Sequence, residues 1–238
     1  MSNGTLAIAK RSAMAGGAGD AMPLDRELRV LGRLDHPNMP RLLQAGEDAH
    51  GQFVIETLFE GGSLRPLLTP LHGGLARNAA LCSALLGLLE DFHAQDAWFT
   101  HGDLSPDNFI LQPDGAPALI DFGSAAFASE VSAIGRGTLP YAAPELCRGE
   151  VAPSQITDRY AISVLVAELC GAPISPRLGS EAALLVHLGE RGHELGALAE
   201  SDLGSPVATL FRGLLAFDPV ERVASLGELR RALTDRVA

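Results

Sequence analysis

One stretch of the sequence combines a polar loop, a tight turn and a carboxylate at a characteristic spacing. The segment H-G-D-L-S-P-D-N places Asp103 and Asn108 five positions apart in a Pro-containing loop. Two runs typical of β-strands, at 108–111 and 118–120, have a Pro-Asp-Gly turn at 113–115 between them. Turn residues between two such runs favour a β-hairpin. The hairpin would return Asp121, which follows the second run, to the side of Asn108.

The three polar side chains of this unit suit the transfer of a phosphoryl group. Transfer from ATP needs one carboxylate near the incoming hydroxyl and oxygen ligands that hold Mg²⁺ against the phosphates. Asp103 suits the first task, and Asn108 and Asp121 suit the second. We therefore interpret the three residues as one metal-binding and proton-handling site, with ATP and Mg²⁺ as cofactors.

Three motifs occur here in the order and spacing typical of one family. They are H-G-D at 101–103, D-F-G at 121–123 and G-T-L-P-Y-A-A-P-E at 137–145. The sequence resembles the Ser/Thr type of the protein kinase family over nearly its whole length. The resemblance implies an α+β, two-lobed fold. A reduced N-lobe with a truncated sheet would span 1–58, and a mainly helical C-lobe would span 59–238.

The resemblance extends upstream to a lysine and a glutamate. The run A-I-A-K ending at Lys10 is similar to the family's V-A-I-K strand, and Glu27 lies where the family's helical glutamate is expected. A flexible ammonium cannot by itself stay fixed on phosphates, so the resemblance implies that an ion pair with Glu27 holds Lys10. Lys10 is thus implied to be catalytic and to bind the nucleotide.

Downstream, the resemblance implies structural rather than chemical roles. Asp158 opens a segment similar to the start of the family's buried central helix. Glu145, in A-P-E, is implied to pair with Arg222. We interpret His101 as a packing residue beneath Phe122, not as a catalytic base.

The hinge between the lobes has two possible registers. Counting back from the E-G-G segment without a gap puts Glu56 at the gatekeeper position, and adenine would then bond the backbone of Thr57 and Phe59. A one-residue insertion would instead make Ile55 the gatekeeper and Leu58 the donor. The ungapped register carries a difficulty, because an acid buried behind adenine without a partner is costly.

The sequence departs from the family pattern at three places. Only nine residues precede Lys10, and they contain one glycine, Gly4, so the glycine-rich phosphate loop is missing. We expect weaker nucleotide binding unless a partner protein completes the N-lobe or the true start lies upstream. Gly102 replaces the family's arginine, which implies that activation-loop phosphorylation is not needed. Ser105 replaces a lysine, which removes one positive charge near the transferred phosphate.

Three function classes remain open at this point. The first is an active, minimal Ser/Thr-type kinase that phosphorylates a protein substrate, favoured because all five expected residues are present. The second is a pseudokinase or scaffold that binds a partner through the kinase fold. The third is a small-molecule kinase of the aminoglycoside type, suggested by H-G-D, although the 137–145 segment would have no use there.

Composition excludes several other classes. The 238 residues are 47% hydrophobic and 20% charged, which is typical of a folded globular chain. A net charge of -11 argues against nucleic acid and acidic membranes as partners. The three cysteines, Cys82, Cys147 and Cys170, suggest neither a disulfide framework nor a zinc site. Without a signal peptide or a long apolar run, we expect a soluble, cytoplasmic protein.

Periodicity and turn residues predict the order of the secondary-structure elements. We expect a strand at 5–10, a loop at 12–21, a helix at 23–34, strands at 41–46 and 52–58, and a helix at 75–94. The segment 60–64 resembles the hinge and the start of a further helix. The chain after 157 should be mainly helical, with loops at 171–176 and 202–206.

Overall fold

The first quarter of the chain forms a small sheet with one helix, and the remainder is mainly helical. The computed structural model describes residues 6–11, 23–68, 74–127, 137–172, 176, 178–195 and 203–236. The loop predicted at 12–21 therefore lies outside the described residues. Within them, no helix is long and apolar enough to cross a membrane.

Three antiparallel strands form the N-terminal sheet in the order β1-β3-β2. They are β1 (Ala7–Arg11), β2 (Leu42–Asp48) and β3 (Gly51–Thr57). In the β1–β3 register, Ile8 lies opposite Glu56 and Lys10 lies opposite Val54. Residues directly opposite one another, and residues two apart on one strand, share a face of the sheet. Lys10 and Glu56 therefore point to the same side.

Helix α1 (Pro23–Arg33) packs against strands β2 and β3. Its inward face carries Val30, which is 1% exposed, and also the carboxylate of Glu27, which is 2% exposed. Apolar residues at helical spacing explain the burial of Val30. The burial of Glu27 requires a polar partner.

The larger part of the molecule is built around two buried helices. Its helices are α2 (Leu75–Gln95), α3 (Pro144–Arg148), α4 (Gln155–Leu169), α5 (Glu181–Arg191), α6 (Ser205–Leu214) and α7 (Leu226–Asp235). Helix α4 is buried along most of its length, because its residues are apolar on nearly all sides. Ser154 and Thr157 form a capping box that begins α4. Helix α2 packs against α4 and α7.

Short strands carry the loops that face the small lobe. They are β4 (Gly62–Ser63), β5 (Phe99–Thr100), β6 (Phe109–Leu111), β7 (Pro117–Leu119) and β8 (Ala126–Phe127). Strands β6 and β7 form the predicted hairpin, closed by the Gly115 N–H, which donates to the Gln112 carbonyl at 2.9 Å. The Ile120 N–H donates to the Asn108 carbonyl at 2.9 Å, so the residue that follows Ile120 lies beside Asn108.

The observed elements agree with the predicted α+β fold, with two local differences. The loop predicted at 202–206 ends early, because helix α6 begins at Ser205 and accepts Pro206 in its first turn. The helix predicted at 75–94 is observed as Leu75–Gln95. At 60–64, where the start of a helix was expected, the chain forms strand β4 and then a 3-10 turn, Arg65–Leu67, since Gly62 and Ser63 pair with β6. The lobe boundary after residue 58 stays a prediction. One hydrophobic core runs from Val30 through Phe122 to Leu229.

Candidate active site

Asp103 is held by residues from two parts of the chain. Its Oδ1 atom accepts hydrogen bonds from the Thr138 backbone N–H at 2.6 Å and from the Thr138 hydroxyl at 2.7 Å. The Asn108 side-chain amide donates to the Asp103 carbonyl at 2.7 Å and to Oδ2 at 3.2 Å. Asp103 is only partly buried. Its carboxylate is therefore fixed in orientation but still reachable from outside.

Asp121 and Phe122 point in opposite directions. Asp121 is exposed and has φ 64°, the one positive φ at a non-glycine residue in the described chain. Asp tolerates this left-handed conformation better than most residues do. Phe122 is fully buried, with its ring 5.2 Å from that of His101 and 6.1 Å from that of Phe92. The buried ring anchors the turn that leaves the Asp121 carboxylate exposed.

Asn108 and Asp121 have the donor set that Mg²⁺ takes together with substrate phosphates. Both offer oxygen atoms, and the Asn108 amide nitrogen already donates to Asp103, which leaves its Oδ1 to accept or to coordinate. No group of three or more His, Cys, Asp and Glu in the described ranges is placed to hold a metal alone. Mg²⁺ usually binds through one or two protein ligands plus phosphates and water, so these two residues fit it.

Lys10 lies between two buried carboxylates. Its Nζ atom is 2.5 Å from Glu27 Oε1 and 2.9 Å from Glu56 Oε1. The Phe122 N–H also donates to Glu27 Oε1 at 3.4 Å, so Glu27 connects the lysine to the segment that carries Asp121. Glu56 has no comparable second partner: its Oε2 is buried without a hydrogen bond in the described structure.

The pKa values of Lys10 and Glu56 are both shifted, for identifiable reasons. Burial alone would lower the pKa of Lys10, but the hydrogen bonds and charges of Glu27 and Glu56 outweigh it and raise that pKa. Burial raises the pKa of Glu56, and the nearby charges of Glu27 and Asp121 add to the increase, against the opposing effect of Lys10. The charged form of Lys10 is thus stabilised, whereas the charged form of Glu56 is destabilised.

A third buried carboxylate, Asp158, holds the loop that contains Asp103. Its Oδ2 accepts from the His101 N–H at 2.7 Å, and its Oδ1 accepts from the Gly102 N–H at 3.0 Å. His93 Nε2 lies 3.2 Å from Oδ2. Burial would raise the pKa of Asp158, but the hydrogen bonds and charges of His93 and His101 lower it overall. The ionised carboxylate therefore stabilises the loop backbone.

The segment that ends in A-P-E is fixed at both ends. Thr138 contacts Asp103, as described above, and the Pro140 carbonyl lies 2.8 Å from Nε2 of the buried His193. At the other end, Arg222 makes a two-pronged ion pair with Glu145, at 2.6 and 2.7 Å. Residues 128–136, which precede this segment, lie outside the described structure. The contacts of Thr138 thus join the 137–145 segment directly to Asp103.

Comparison with known proteins agrees with this geometry. A family model described as protein kinase domain matches residues 7–232. The chain belongs to the protein kinase family. It is 30% identical over 220 residues to the serine/threonine-protein kinase PknD of Mycobacterium tuberculosis (strain H37Rv), which covers 89% of this chain and 32% of PknD.

Two further relatives carry the same designation. The serine/threonine-protein kinase RAD53 of Saccharomyces cerevisiae is 27% identical, over 83% of this chain and 26% of its own length. The serine/threonine-protein kinase PknL of Mycobacterium tuberculosis (strain H37Rv) is 34% identical, over 64% of this chain and 39% of its own length. The chain thus spans about a third of the curated relatives it matches. The predicted membership of the protein kinase family, with similarity to its Ser/Thr type, is confirmed.

The residues predicted to form the hinge, Thr57 and Phe59, lie at the end of strand β3 and just beyond it. The Thr57 hydroxyl accepts from the Arg41 N–H at 2.9 Å, and Phe59 is partly buried. The Leu58 N–H donates to the Leu6 carbonyl at 2.9 Å. That bond occupies the donor on which the alternative register depends. Glu56, and not Ile55, lies beside the kinase lysine.

Sequence reasoning missed three contacts that shape this kinase site. The sequence marks Thr138 only as part of a motif, although its hydroxyl donates a hydrogen bond to Asp103. His93 was read only as part of an apolar helix, and no local signal marks it as a partner of Asp158. Glu56 was noted as a costly buried acid. That cost was the available signal, because a buried acid implies a cation nearby, here Lys10.

Proposed function

We propose that this chain transfers the γ-phosphoryl group of ATP to Ser or Thr hydroxyls of a protein substrate, in a Mg²⁺-dependent reaction. The observation that carries the proposal is the position of Asp103. Its carboxylate bonds both Thr138 of the 137–145 segment, the proposed docking segment, and Asn108 of the metal-ligand pair. A hydroxyl delivered along that segment would meet the acceptor for its proton beside the phosphate-bearing metal.

Each remaining residue has a defined task in the proposal. Asn108 and Asp121 would hold Mg²⁺, which neutralises charge on the phosphates when bound. Lys10, fixed by Glu27, would bind the phosphates. The backbone of Thr57 and Phe59 would bind adenine, and the engaged Leu58 N–H supports this register over the one with Ile55 as gatekeeper.

The nature of the substrate follows from the docking segment. Thr138, Leu139 and Pro140 are partly exposed next to Asp103, and the buried ion pair of Glu145 with Arg222 fixes the far end of their segment, which suits an extended peptide. A small-molecule substrate would not need this segment, so the aminoglycoside-type alternative has little support. The three described cysteines are buried and form no disulfide with one another, in keeping with the reducing cytoplasm that forms part of the proposal. A partner protein that completes the N-lobe also stays a proposal.

A pseudokinase that binds its partner through this fold is the second candidate. One observation favours it: Lys10 is engaged by Glu56 as well as Glu27, so the ammonium has a competing acceptor where phosphates should bind. Label transfer separates the two candidates.

The test uses the purified chain with radiolabelled ATP, Mg²⁺ and generic protein substrates. We expect label transfer, and we expect Asp103→Ala to reduce it by roughly 10²–10⁴-fold while nucleotide binding is kept. Asp121→Ala should lose Mg²⁺-dependent binding itself. Asp114→Asn is the matched control, because Asp114 is an exposed carboxylate in the β6–β7 turn. Full transfer by Asp103→Ala would overturn the assignment, and nucleotide binding without any transfer would favour the pseudokinase.

A further inference from the structure

Glu56 is a carboxylate of the nucleotide site to which the proposed reaction gives no task. It is 2% exposed, its Oε1 lies 2.9 Å from Lys10 Nζ, and its Oε2 has no hydrogen-bond partner in the described structure. A buried carboxylate oxygen without a partner is energetically costly. A buried polar atom without a partner calls for an explanation, and one explanation is that its contacts change when a ligand binds.

The surroundings of Glu56 contain one cation and two further anions. Lys10 comes from β1, Glu27 from α1, and Asp121 from the segment after β7; these are the described charged groups that act on Glu56. Its opposite neighbours, Ile8 on β1 and Leu42 on β2, are apolar. Glu56 therefore depends on Lys10 alone for stabilisation as an anion.

An ammonium group has three N–H donors. Glu27 and Glu56 take two of them here, which leaves one for the phosphates. Bound phosphates would compete for more, and one carboxylate must then give way. Glu27 would keep the Phe122 N–H as a partner, whereas Glu56 would keep none.

We infer that Glu56 competes with the nucleotide for Lys10: its carboxylate holds the ammonium before nucleotide binds and takes up a proton from solvent when the phosphates engage that ammonium. The inference rests on the proposed function, since it requires ATP to bind at Lys10. Glu56 is on this view a positioning residue, because it acts on the phosphates through Lys10. The raised pKa of Glu56, caused mainly by burial, agrees with easy protonation.

The inference sets the sign of a pH dependence. If the complex holds one more proton than the free protein, raising the pH disfavours the complex, by up to about tenfold in affinity per pH unit while free Glu56 is ionised. Neutral Gln at position 56 cannot take up this proton, but its amide oxygen can still accept from Lys10. Glu56→Gln should therefore bind nucleotide more tightly than the wild type at high pH, and with a flatter pH profile.

Calorimetry measures this proton directly. MgATP is titrated into the full chain between pH 6 and 8, in two buffers with different ionisation enthalpies. Wild type should take up a proton number that approaches about one at the upper pH, with affinity falling as pH rises. Glu56→Gln should lose that uptake and bind on the order of tenfold more tightly at pH 8. Glu47→Gln, the same change at an exposed glutamate on strand β2, should match the wild type.

Every outcome separates the inference from the function on which it rests. Equal proton uptake and equal pH profiles for wild type and Glu56→Gln would overturn the inference while leaving ATP binding intact. No binding of MgATP to the wild type would overturn the proposed function and the inference together. Thermal unfolding checks that each variant is folded. If Glu56→Gln is not, Glu56→Met, which lacks both the charge and the acceptor, should show the same loss of proton uptake.

Discussion

Asp158 and Glu56 are equally buried carboxylates, at 2% exposure each, in opposite hydrogen-bonding environments. Both oxygens of Asp158 accept hydrogen bonds from the catalytic-loop backbone, and His93 adds a third contact. Glu56 has Lys10 on one oxygen and no partner on the other. The pKa of Asp158 is lowered, whereas that of Glu56 is raised, chiefly by burial.

The difference shows that burial alone does not decide what a charged group does for the protein. A carboxylate with hydrogen bonds to both of its oxygens holds the loop backbone in one arrangement. Glu56 has one partner, Lys10, which the proposed function also requires for phosphate binding. Whatever binds Lys10 therefore also affects Glu56. Asp158 thus holds the loop that carries Asp103 in one arrangement, whereas Glu56 responds to whatever binds Lys10.

The largest effect should come from removing the Asp158 anchor. Asp158→Ala leaves the His101 and Gly102 N–H groups and His93 without their acceptor in a buried site, so we expect a loss of about 3–5 kcal/mol in the free energy of unfolding. Glu56→Gln neutralises an equally buried carboxylate, but it removes an unfavourable charge. Its stability should stay within about 1 kcal/mol of the wild type or rise.

Urea unfolding of both variants at pH 7 makes the comparison. Asp158→Ala should also reduce phosphoryl transfer, because the loop that carries Asp103 loses its support. Similar losses of stability in the two variants would show that the Asp158 and Glu56 carboxylates do not differ as their contacts suggest.

How far the sequence could predict these regions depends on whether a contact is local. The β6–β7 hairpin, the extent of α2 and the grouping of Asn108 with Asp121 follow from turn residues, periodicity and spacing along a short stretch. The Lys10–Glu27 contact was expected from resemblance rather than from any local rule. It is observed at 2.5 Å.

The missed contacts all depend on how distant elements meet. Lys10 reaches Glu56 because β1 pairs with β3 in a register that no single segment encodes. His93 meets Asp158 only when α2 packs on α4. The 3-10 turn at Arg65–Leu67 replaces an expected helix, since the preceding residues pair with β6. Tertiary packing overrides local preference in each case.

A second prediction concerns His193, a buried histidine that is neutral in the native state. Its Nε2 donates to the Pro140 carbonyl at 2.8 Å, and its Nδ1 accepts from the Tyr160 hydroxyl at 2.9 Å. Burial lowers the pKa of His193 to about 4, from 6.5. The unfolded chain binds this proton below about pH 6.5 and the native state does not, so stability is lost as pH falls from 6.5 towards 4.

Between pH 7 and pH 5 this linkage amounts to about 2 kcal/mol. In His193→Gln, which cannot titrate, the drop in unfolding free energy over that interval should be smaller by this amount, as measured by urea unfolding at both pH values. His50→Gln, at an exposed histidine, should keep the wild-type drop. An unchanged drop in His193→Gln would mean that burial does not lower the pKa of His193 in the native state.

The smallest effect tests the backbone on which the Asp158 anchor acts. Gly102 has φ +76°, and a Cβ atom added there would lie 2.7 Å from the Ser124 carbonyl oxygen. Gly115 has φ +88° with no atom within 4 Å of the added Cβ. Both alanine variants should therefore lose about 1 kcal/mol of stability for the left-handed conformation. Gly102→Ala should lose about 1 kcal/mol more than Gly115→Ala, because a backbone oxygen must move.

The difference in unfolding free energy between the two alanine variants measures the cost of the close contact with Ser124. Phosphoryl-transfer assays of the same variants show whether the loop that carries Asp103 has moved. Gly102→Ala should slow transfer, since any shift of residue 102 pulls its N–H from Asp158 and moves the adjoining Asp103. Gly115→Ala should leave transfer unchanged, because Gly115 lies in the β6–β7 turn, apart from Asp158 and Asp103. Equal stability and equal transfer in both variants would mean that the catalytic loop relaxes around the added methyl group. The Asp158 anchor would then tolerate displacement, and the contrast with Glu56 would be one of degree.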